Sequence, residues 1–428
     1  MVSAALRDPP AAAPAKPAAM AAVNPLVEWI LAEGWEAPSL PDLVRGLCQQ
    51  MLALDIPLCR MRLHVRTLHP QYLGTSYTWT RGRAEIEEFN ATYAILNAEC
   101  YQASPFKAIF DDGVGGVRRR LDIPGLALDY PVLEELRAEG ATDYVAMPIV
   151  FSDARRSAIT CASDRPGGFA TEELEAIYSM LPVLSRLLEV HALRRTARTI
   201  LETYLGRVSG ERVLKGLVRR GDGEDIDAVI WFSDLRGSTP LADMLPRPAF
   251  LELLNGYFEA MAGSVLAHDG EVLRYIGDAL LAIFPLGNGN GHGNGNGNGN
   301  GKGPLHPAPP AAACARALAA AREAIARMDT LNGHRAGRGE PELRFGIGLH
   351  VGAVMYGNIG VDQRLEFTVI GAAANEAARL EAMCKTLDRP LVLSAELARL
   401  VEEPLLSLGV HALRGVREPH EVLTLADL

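Results

Sequence analysis

The chain has 428 residues, enough for two domains that each bury a core of their own. An apolar fraction of 48% and a charged fraction of 22% are ordinary for a globular protein, and a net charge of −10 argues against general binding to nucleic acid or an anionic membrane surface. The six cysteines have neither metal-ligand spacing nor a dense disulfide pattern, and no stretch approaches the roughly 20 apolar residues of a membrane span, so we expect a cytoplasmic protein.

The first predicted elements lie in a region that mixes helical and strand patterns. Residues 1–22 are rich in alanine and proline without a continuous apolar segment, and we expect a disordered tail rather than a signal peptide. The region that follows, 23–170, is predicted to form an N-terminal domain. Its clearest elements are one helix and three strands, at 41–54, 60–65, 144–151 and 157–162.

A long helix is predicted after this domain. The segment Phe169-Ala170-Thr171-Glu172-Glu173 supplies an N-cap followed by early acids, and leucine or isoleucine then recurs in steps of three and four residues up to Leu188. We assign 171–222 to this connecting segment. Its narrow apolar seam is typical of a parallel helix pair in a dimer, and equally of a single amphipathic helix packed on its own domain. The order strand, turn, strand, Gly-Gly-Phe and capped helix over 140–190 resembles the end of a GAF-type sensory domain.

The second half alternates strands and helices. From residue 228 the order is strand, helix, strand–turn–strand, helix, strand, strand, helix and strand, which predicts an α/β sandwich over 223–428. Residues 287–303 interrupt it with an almost pure Gly/Asn repeat. Such a repeat cannot bury apolar surface, and we predict a flexible loop. An alanine-rich helix at 311–328 resumes the fold.

Two aspartates stand at the edges of apolar strands, where core residues would be expected. Asp234 lies just past a predicted strand at 228–232, and Asp278 lies in a tight turn between predicted strands at 271–276 and 279–284. If the strands are neighbours, both carboxylates emerge at the same end of the sheet. Two converging hard oxygen donors suit Mg²⁺ or Mn²⁺ carrying a nucleoside triphosphate.

Four segments of this half resemble the catalytic domain of class III adenylate and guanylate cyclases. They are FSDLRGST, GEVLRYIGDALLAIFP, RFGIGLHVGAVMYGNIG and EFTVIGAAANEAARLE, which occur in the family's order and near its spacing. The resemblance covers 226–428 and implies a ferredoxin-like α/β sandwich. It also implies a phosphorus–oxygen lyase that converts a nucleoside triphosphate to its 3′,5′-cyclic monophosphate and pyrophosphate, with two Mg²⁺ or Mn²⁺ ions in each active site.

The resemblance gives five residues a role in this chemistry. Asp234 and Asp278 match the metal-binding aspartates, and the carbonyl of Leu235 matches a backbone ligand. Asn375 and Arg379, four residues apart on one helix face, match the asparagine that orients the ribose and the arginine that stabilises the transition state.

Three of these residues also have a purely structural explanation. An aspartate at position 234 suits a helix cap, and one at position 278 suits a turn. Arg379 is also compatible with a surface ion pair to Glu376 or Glu381. The joint occurrence of these residues in one framework favours the metal and phosphate roles.

Base recognition departs from the family pattern. Adenylate cyclases of this class usually read adenine with a lysine where this chain has Arg274, and with aspartate or threonine where it has Thr368. The guanylate type places a glutamate at the former position, and arginine cannot accept a hydrogen bond from guanine. The sequence therefore favours ATP over GTP. Arg414 aligns approximately with a phosphate-binding residue of the family, and equally suits an exposed strand end.

In the family, one subunit supplies the aspartates and the other supplies the base-reading residues, the asparagine and the arginine. A homodimer with two equivalent sites is therefore expected, regulated by an N-terminal domain whose small-molecule or protein input the sequence does not identify. The alternative from another class is an inactive cyclase-fold module for dimerisation or signal relay, which Arg274 favours. A diguanylate cyclase is set aside, because its Gly-Gly-Asp/Glu-Glu-Phe turn is absent from the sequence.

Overall fold

A computed structural model of the chain describes residues 23–125, 128–287, 308–413 and 419–428. The chain divides into two compact units, one up to Ala197 and one from Arg198. Three sequence predictions fall outside the described residues: the disordered tail 1–22, the loop 287–303 apart from its first residue, and the role of Arg414.

The described part of the first unit is an antiparallel sheet between helices, with the strand order β3-β2-β1-β6-β5-β4. Its strands are β1 Leu58–Arg66, β2 Tyr72–Thr80, β3 Glu87–Thr92, β4 Val117–Arg120, β5 Asp143–Val150 and β6 Arg156–Ser163. Its helices are α1 Pro25–Ala32, α2 Leu40–Ala53, α3 Glu99–Gln102, α4 Pro105–Phe110, α5 Pro131–Ala138 and the start of α6 Thr171–Leu205. The predicted helix and the three predicted strands of this region are confirmed within one or two residues at each end.

Helices pack on both faces of this sheet, and successive side chains of a strand point alternately to one helical layer and to the other. Along β5, Val145 and Met147 belong to a core shared with α1, α2 and α6, whereas Tyr144 and Ala146 belong to a second core with α4 and α5. The inner strand β5 therefore carries apolar residues at successive positions, whereas the edge strand β3 is mostly exposed.

The predicted long helix is confirmed from Thr171 to Leu205 as α6, but it does not extend to residue 222, because Gly206 has a φ of +86° and a separate short helix, Arg207–Leu214, follows it. Glu173 accepts a hydrogen bond from the backbone N–H of Ala170 at 2.7 Å, which satisfies one of the free donors at the helix start. Pro182 lies inside the helix and does not end it. Of the helices that the structure describes, α6 is the one long and apolar enough to cross a membrane by composition, but 50% of its most apolar window is buried, as in a core helix.

The second unit is built on a mixed sheet with the strand order β13-β14-β12-β10-β7-β9-β8, and β11 pairs with the far part of β10. Its strands are β7 Gly223–Arg236, β8 Glu271–Ile276, β9 Ala279–Pro285, β10 Arg344–Val361, β11 Arg364–Ile370, β12 Leu391–Ser394, β13 Leu405–His411 and β14 His420–Leu425. The helices are α7 Arg207–Leu214, α8 Ser238–Met244, α9 Arg247–Ala267, α10 Pro310–Gly337, α11 Ala372–Leu387 and α12 Ala395–Ala398.

Helices α9 and α10 cover one face of this sheet, and α11 packs on the other. The contact with α11 is unusually close because β10 carries Gly346 and Gly348 there. A Cβ atom at Gly348 would lie 2.3 Å from the backbone oxygen of Ala377, so glycine is required for the helix backbone to rest on the strand. This contact fixes the height of α11 above the centre of the sheet.

The first strand of this unit differs from the prediction. We expected a strand at 228–232 with Asp234 beyond its end, whereas β7 continues to Arg236 and Asp234 lies inside it, opposite Gly346. The cause is the antiparallel ladder with β10, which keeps the backbone extended past the apolar run. The predicted hairpin strands are confirmed as β8 and β9, and the alanine-rich helix α10 extends to Gly337.

Candidate active site

The β8–β9 hairpin brings Asp278 beside Asp234. β7 and β9 are antiparallel neighbours, with Ser233 opposite Leu280, and the two-residue turn Gly277-Asp278 begins just beyond this pair. Gly277 has a φ of +66°, a left-handed conformation that favours glycine. The prediction that both carboxylates meet at one end of neighbouring strands is therefore confirmed.

The two carboxylates strongly influence each other. Burial, the largest cause, acts together with the nearby Asp278 carboxylate, which lies in hydrogen-bonding range, to raise the pKa of Asp234 from 3.8 to about 6. The backbone N–H of Leu235 donates to Asp234 and opposes this effect only in part. A pair of half-buried, mutually repelling oxygen donors is the arrangement that a hard divalent cation stabilises.

Few protein side chains are available to ligate a cation beside Asp234 and Asp278. Within the described ranges, no group of three or more histidine, cysteine, aspartate or glutamate side chains is arranged to hold a metal. A cation at Asp234 and Asp278 would therefore complete its coordination with backbone oxygen, water or substrate. Mg²⁺ commonly binds in this way, through one or two carboxylates together with substrate phosphates.

A third acid near this pair, Glu381, was missed by the sequence reasoning. It lies on α11, is only 9% exposed, and its pKa is raised to about 7 by burial and by the Asp234 carboxylate, while Arg236 lowers it. The signal was available: Ala377, Leu380 and Cys384 mark the apolar face of α11, and Glu381 occupies a core position of that face. An acid at such a position indicates a special environment.

Asn375 and Arg379 lie on the opposite, outer side of α11. Asn375 is exposed and Arg379 is half-buried. In the part of the chain that the structure describes, Arg379 forms no ion pair, because Glu376 faces His350 at 3.4 Å and Glu381 faces the aspartates. The structural alternative for Arg379 is therefore not observed. Within one chain, these two residues are also not brought into contact with Asp234 and Asp278.

The expected base-reading residues lie together on β8 and β11. Arg274 Nε is 2.9 Å from Glu366 Oε1, and Glu366 and Thr368 point to the same side of β11 because they are two residues apart. Among the described residues, Arg274 Nε and Thr368 Oγ1 are buried and make no hydrogen bond of good geometry. Buried polar atoms rarely remain without partners, so a polar ligand is suited to this position.

Glu366 itself was not identified from the sequence. It supplies a carboxylate next to the arginine that replaces the family's lysine. Arg274 and Glu366 line a cavity of about 630 Å³, a size typical of small-molecule sites, which also involves the end of α6 and the start of α7.

Comparison with known proteins gives one family for this half of the chain. The family model described as the adenylate and guanylate cyclase catalytic domain matches residues 224–400. An uncharacterized protein of Mycobacterium tuberculosis (strain CDC 1551 / Oshkosh) is 32% identical over 233 residues, covering 54% of this chain and 37% of that protein. An uncharacterized protein of Mycobacterium bovis (strain ATCC BAA-935 / AF2122/97) is 32% identical over 210 residues, covering 49% of this chain and 34% of that protein. The chain thus spans little more than a third of these curated relatives.

Solved structures are similar over about half of the chain. A bacterial light-regulated adenylyl cyclase is 26% identical with a TM-score of 0.39, and the match covers 48% of this chain and 92% of that one. The guanylyl cyclase Cya2 is 25% identical with a TM-score of 0.37, and the match covers 47% of this chain and 92% of that one.

Proposed function

We propose that this chain is an adenylate cyclase, because residues 224–400 match the family model of the adenylate and guanylate cyclase catalytic domain. It converts ATP to 3′,5′-cyclic AMP and pyrophosphate at the interface of a homodimer. The juxtaposition of Asp234 and Asp278, with the raised pKa of Asp234, carries this proposal. An inactive relay module has no need to keep two repelling carboxylates together in a half-buried turn.

Two divalent cations, Mg²⁺ or Mn²⁺, suit the acid pair. Asp234, Asp278 and the carbonyl of Leu235 would hold them, and such cations would supply Lewis acidity toward the ribose 3′-hydroxyl and positive charge against the phosphates. Glu381, whose pKa is raised to about 7, carries part of a negative charge behind this pair at neutral pH and so favours cation binding.

The reaction is an intramolecular displacement. The 3′-oxygen forms a bond to the α-phosphorus, the bond from that phosphorus to the bridging oxygen breaks, and pyrophosphate leaves with the electron pair while the hydroxyl proton passes to solvent. Arg379 stabilises the charge that develops on the α-phosphate, because its guanidinium stays ionised and can donate two hydrogen bonds to phosphate oxygens. Asn375 orients the ribose so that the 3′-oxygen faces the phosphorus. Arg414 is proposed as a further phosphate contact.

A second copy of the chain completes the site. Asn375 and Arg379 face outward from α11, away from the aspartates of their own chain. Large apolar side chains are also exposed at the strand ends that carry the site: Tyr275 is 53% exposed, Ile276 42% and Ile370 50%. Exposed apolar patches next to an incomplete polar site favour association, and a symmetric dimer covers both copies at once.

ATP is the proposed substrate because Arg274 and Thr368 fit the adenylate pattern better than the guanylate one. GTP is the second candidate, and Glu366 is the observation that favours it. Its carboxylate lies beside Arg274 and can accept hydrogen bonds from the N1–H and amino group of guanine, which arginine alone cannot do.

We also propose that the first unit is a GAF-like sensory domain that regulates the cyclase in the cytoplasm. Its antiparallel sheet between two helical layers supports this assignment, as does the long helix α6 that continues from it. Such a helix can transmit a change at its N-terminal end by altering how two catalytic units face each other.

Product identification tests the proposal. The purified chain is incubated with Mn²⁺ and either ATP or GTP, and the products are separated and identified by mass spectrometry. Cyclic AMP is expected, and Asp278→Asn is expected to abolish its formation while the exposed control Asp243→Asn does not. If dimeric protein cyclises neither nucleotide, the chain is a relay module instead.

A further inference from the structure

The first unit, proposed above as a sensory domain, contains a cavity for which no ligand has been assigned. It has a volume of about 220 Å³ and lies between the outer face of β1, β5 and β6 and the helices α3 to α5. We propose that it binds a compact organic monoanion, a carboxylate attached to an apolar body of about the size of one ring. This site is independent of the cyclase chemistry of the second unit.

Two arginines give the cavity its cationic side. Arg60 and Arg62 are alternate residues of β1, so both side chains project from the same face of the sheet into the cavity. Arg60 also pairs with Glu139 at the rim, at 3.3 Å. Two adjacent guanidinium groups are well placed to bind a carboxylate, because each presents a planar fork of N–H donors.

Arg62 is the less compensated of the two. Its Nε donates to Thr78 Oγ1 at 3.0 Å, and among the described residues no carboxylate lies within ion-pair distance of it. Burial lowers the pKa of Arg62, and the neighbouring charge of Arg60 lowers it further. The more distant charges of Glu87 and Glu135 raise this pKa, but by less. A partly buried cation without a close counter-ion costs free energy, which a bound anion would recover.

The remaining walls select the type of anion. Phe106, Pro131, Val132 and Leu136 supply an apolar side, and the Tyr144 ring and Thr160 lie opposite. A cavity of roughly 150 Å³ is large enough for benzene, so 220 Å³ accommodates one ring and a carboxylate. The carboxylate of Glu135 also lines the cavity and disfavours multiply charged anions such as phosphate.

Titration calorimetry of the full-length chain with benzoate tests this site, with inorganic phosphate as the second probe. We expect saturable binding of benzoate at millimolar concentration and weaker binding of phosphate. Arg62→Met keeps the apolar stem and removes the charge, and should weaken benzoate binding roughly 10- to 150-fold, as for a hydrogen bond to a charged group. Arg45→Met, at an arginine that pairs with Asp42 on α2 outside the cavity, should leave binding unchanged.

Two further measurements separate this role from a structural one. Without ligand, Arg62→Met should not lower the thermal midpoint of the first unit, because it removes a partly buried cation that has no close counter-ion. Ala103→Leu keeps both arginines and fills the cavity, and should also abolish benzoate binding. The proposal is overturned if the wild-type chain shows no saturable benzoate binding, if phosphate binds more tightly, or if Arg62→Met binds benzoate as well as wild type does.

Discussion

Replacing Asp234 by asparagine should stabilise the catalytic unit when no metal is present. The raised pKa means that the folded state holds the Asp234 proton more tightly than the unfolded chain does. As pH rises from about 4 through about 6, the folded wild-type unit must ionise this carboxyl at a cost that the unfolded chain does not have. Asparagine has no carboxyl to ionise, so the variant should be more stable than wild type above about pH 6. Below about pH 4 it should gain no stability over wild type.

The size of this gain follows from the shift. Moving one carboxyl pKa from 3.8 to about 6 corresponds to roughly 3 kcal/mol in the free energy of unfolding. Asp234 is only half-buried, and solvent screening reduces the expected gain to about 1–2 kcal/mol. Metal should reverse the order: Mn²⁺ at about 100 times its dissociation constant stabilises the wild-type unit by roughly 2.7 kcal/mol, and the variant gains much less.

Urea unfolding of the full-length chain is monitored through hydrogen exchange in peptides from β7. Because β7 belongs to the catalytic unit, this signal measures the free energy of unfolding of that unit alone. The titration is run in EDTA and in Mn²⁺, each at neutral pH and near pH 4. Asp243→Asn, an exposed aspartate on α8, is the matched control and should change none of the four values. The reasoning is refuted if Asp234→Asn is less stable than wild type in EDTA at neutral pH, or if Mn²⁺ stabilises both chains equally.

Three further substitutions test the surrounding site. Gly348→Ala forces a Cβ against the backbone of α11 and should lower the free energy of unfolding, measured by urea titration, by about 1–3 kcal/mol. Gly333→Ala, on the exposed side of α10, is the control and should not lower it. Equal effects of the two substitutions would contradict the packing argument. Arg379→Ala should lower kcat in steady-state assays far more than it raises KM. The control Arg399→Ala, at an exposed position, should not lower kcat in this way. A change confined to KM in Arg379→Ala would argue against a transition-state contact. Glu366→Gln should lower kcat/KM for GTP about tenfold or more relative to ATP, and an unchanged ratio would exclude Glu366 from base recognition.

Local patterns in the sequence predicted much of this architecture. The β8–β9 hairpin followed from two apolar strands around Gly277-Asp278, since a two-residue turn needs only its own residues to form. The helix α11 followed from spacing within one segment. Resemblance to a family then related Asp234 and Asp278 to each other, which spacing alone does not do.

What the sequence did not reveal depends on contacts between distant segments. β7 extends past its apolar run because β10, more than a hundred residues away, continues the ladder. The ion pair of Arg274 with Glu366 requires β8 to lie near β11, and the cavity around Arg62 requires three helices to be packed on one face of the first sheet. Glu381 is the exception, because its polar character at an apolar helix position was visible in the sequence.

The most direct test of a site shared between two copies is complementation. Chains carrying Asp234→Ala and Arg379→Ala are given different affinity tags, co-expressed and purified through both tags, so that only heterodimers are assayed. One of the two sites in such a heterodimer is intact, so we expect roughly half of wild-type cyclase activity, although each mutant homodimer is inactive. A heterodimer of Asp234→Ala with Asp278→Ala has a damaged aspartate pair in both sites and should stay inactive. Absence of activity in the first heterodimer, or equal recovery in the second, would contradict the shared site.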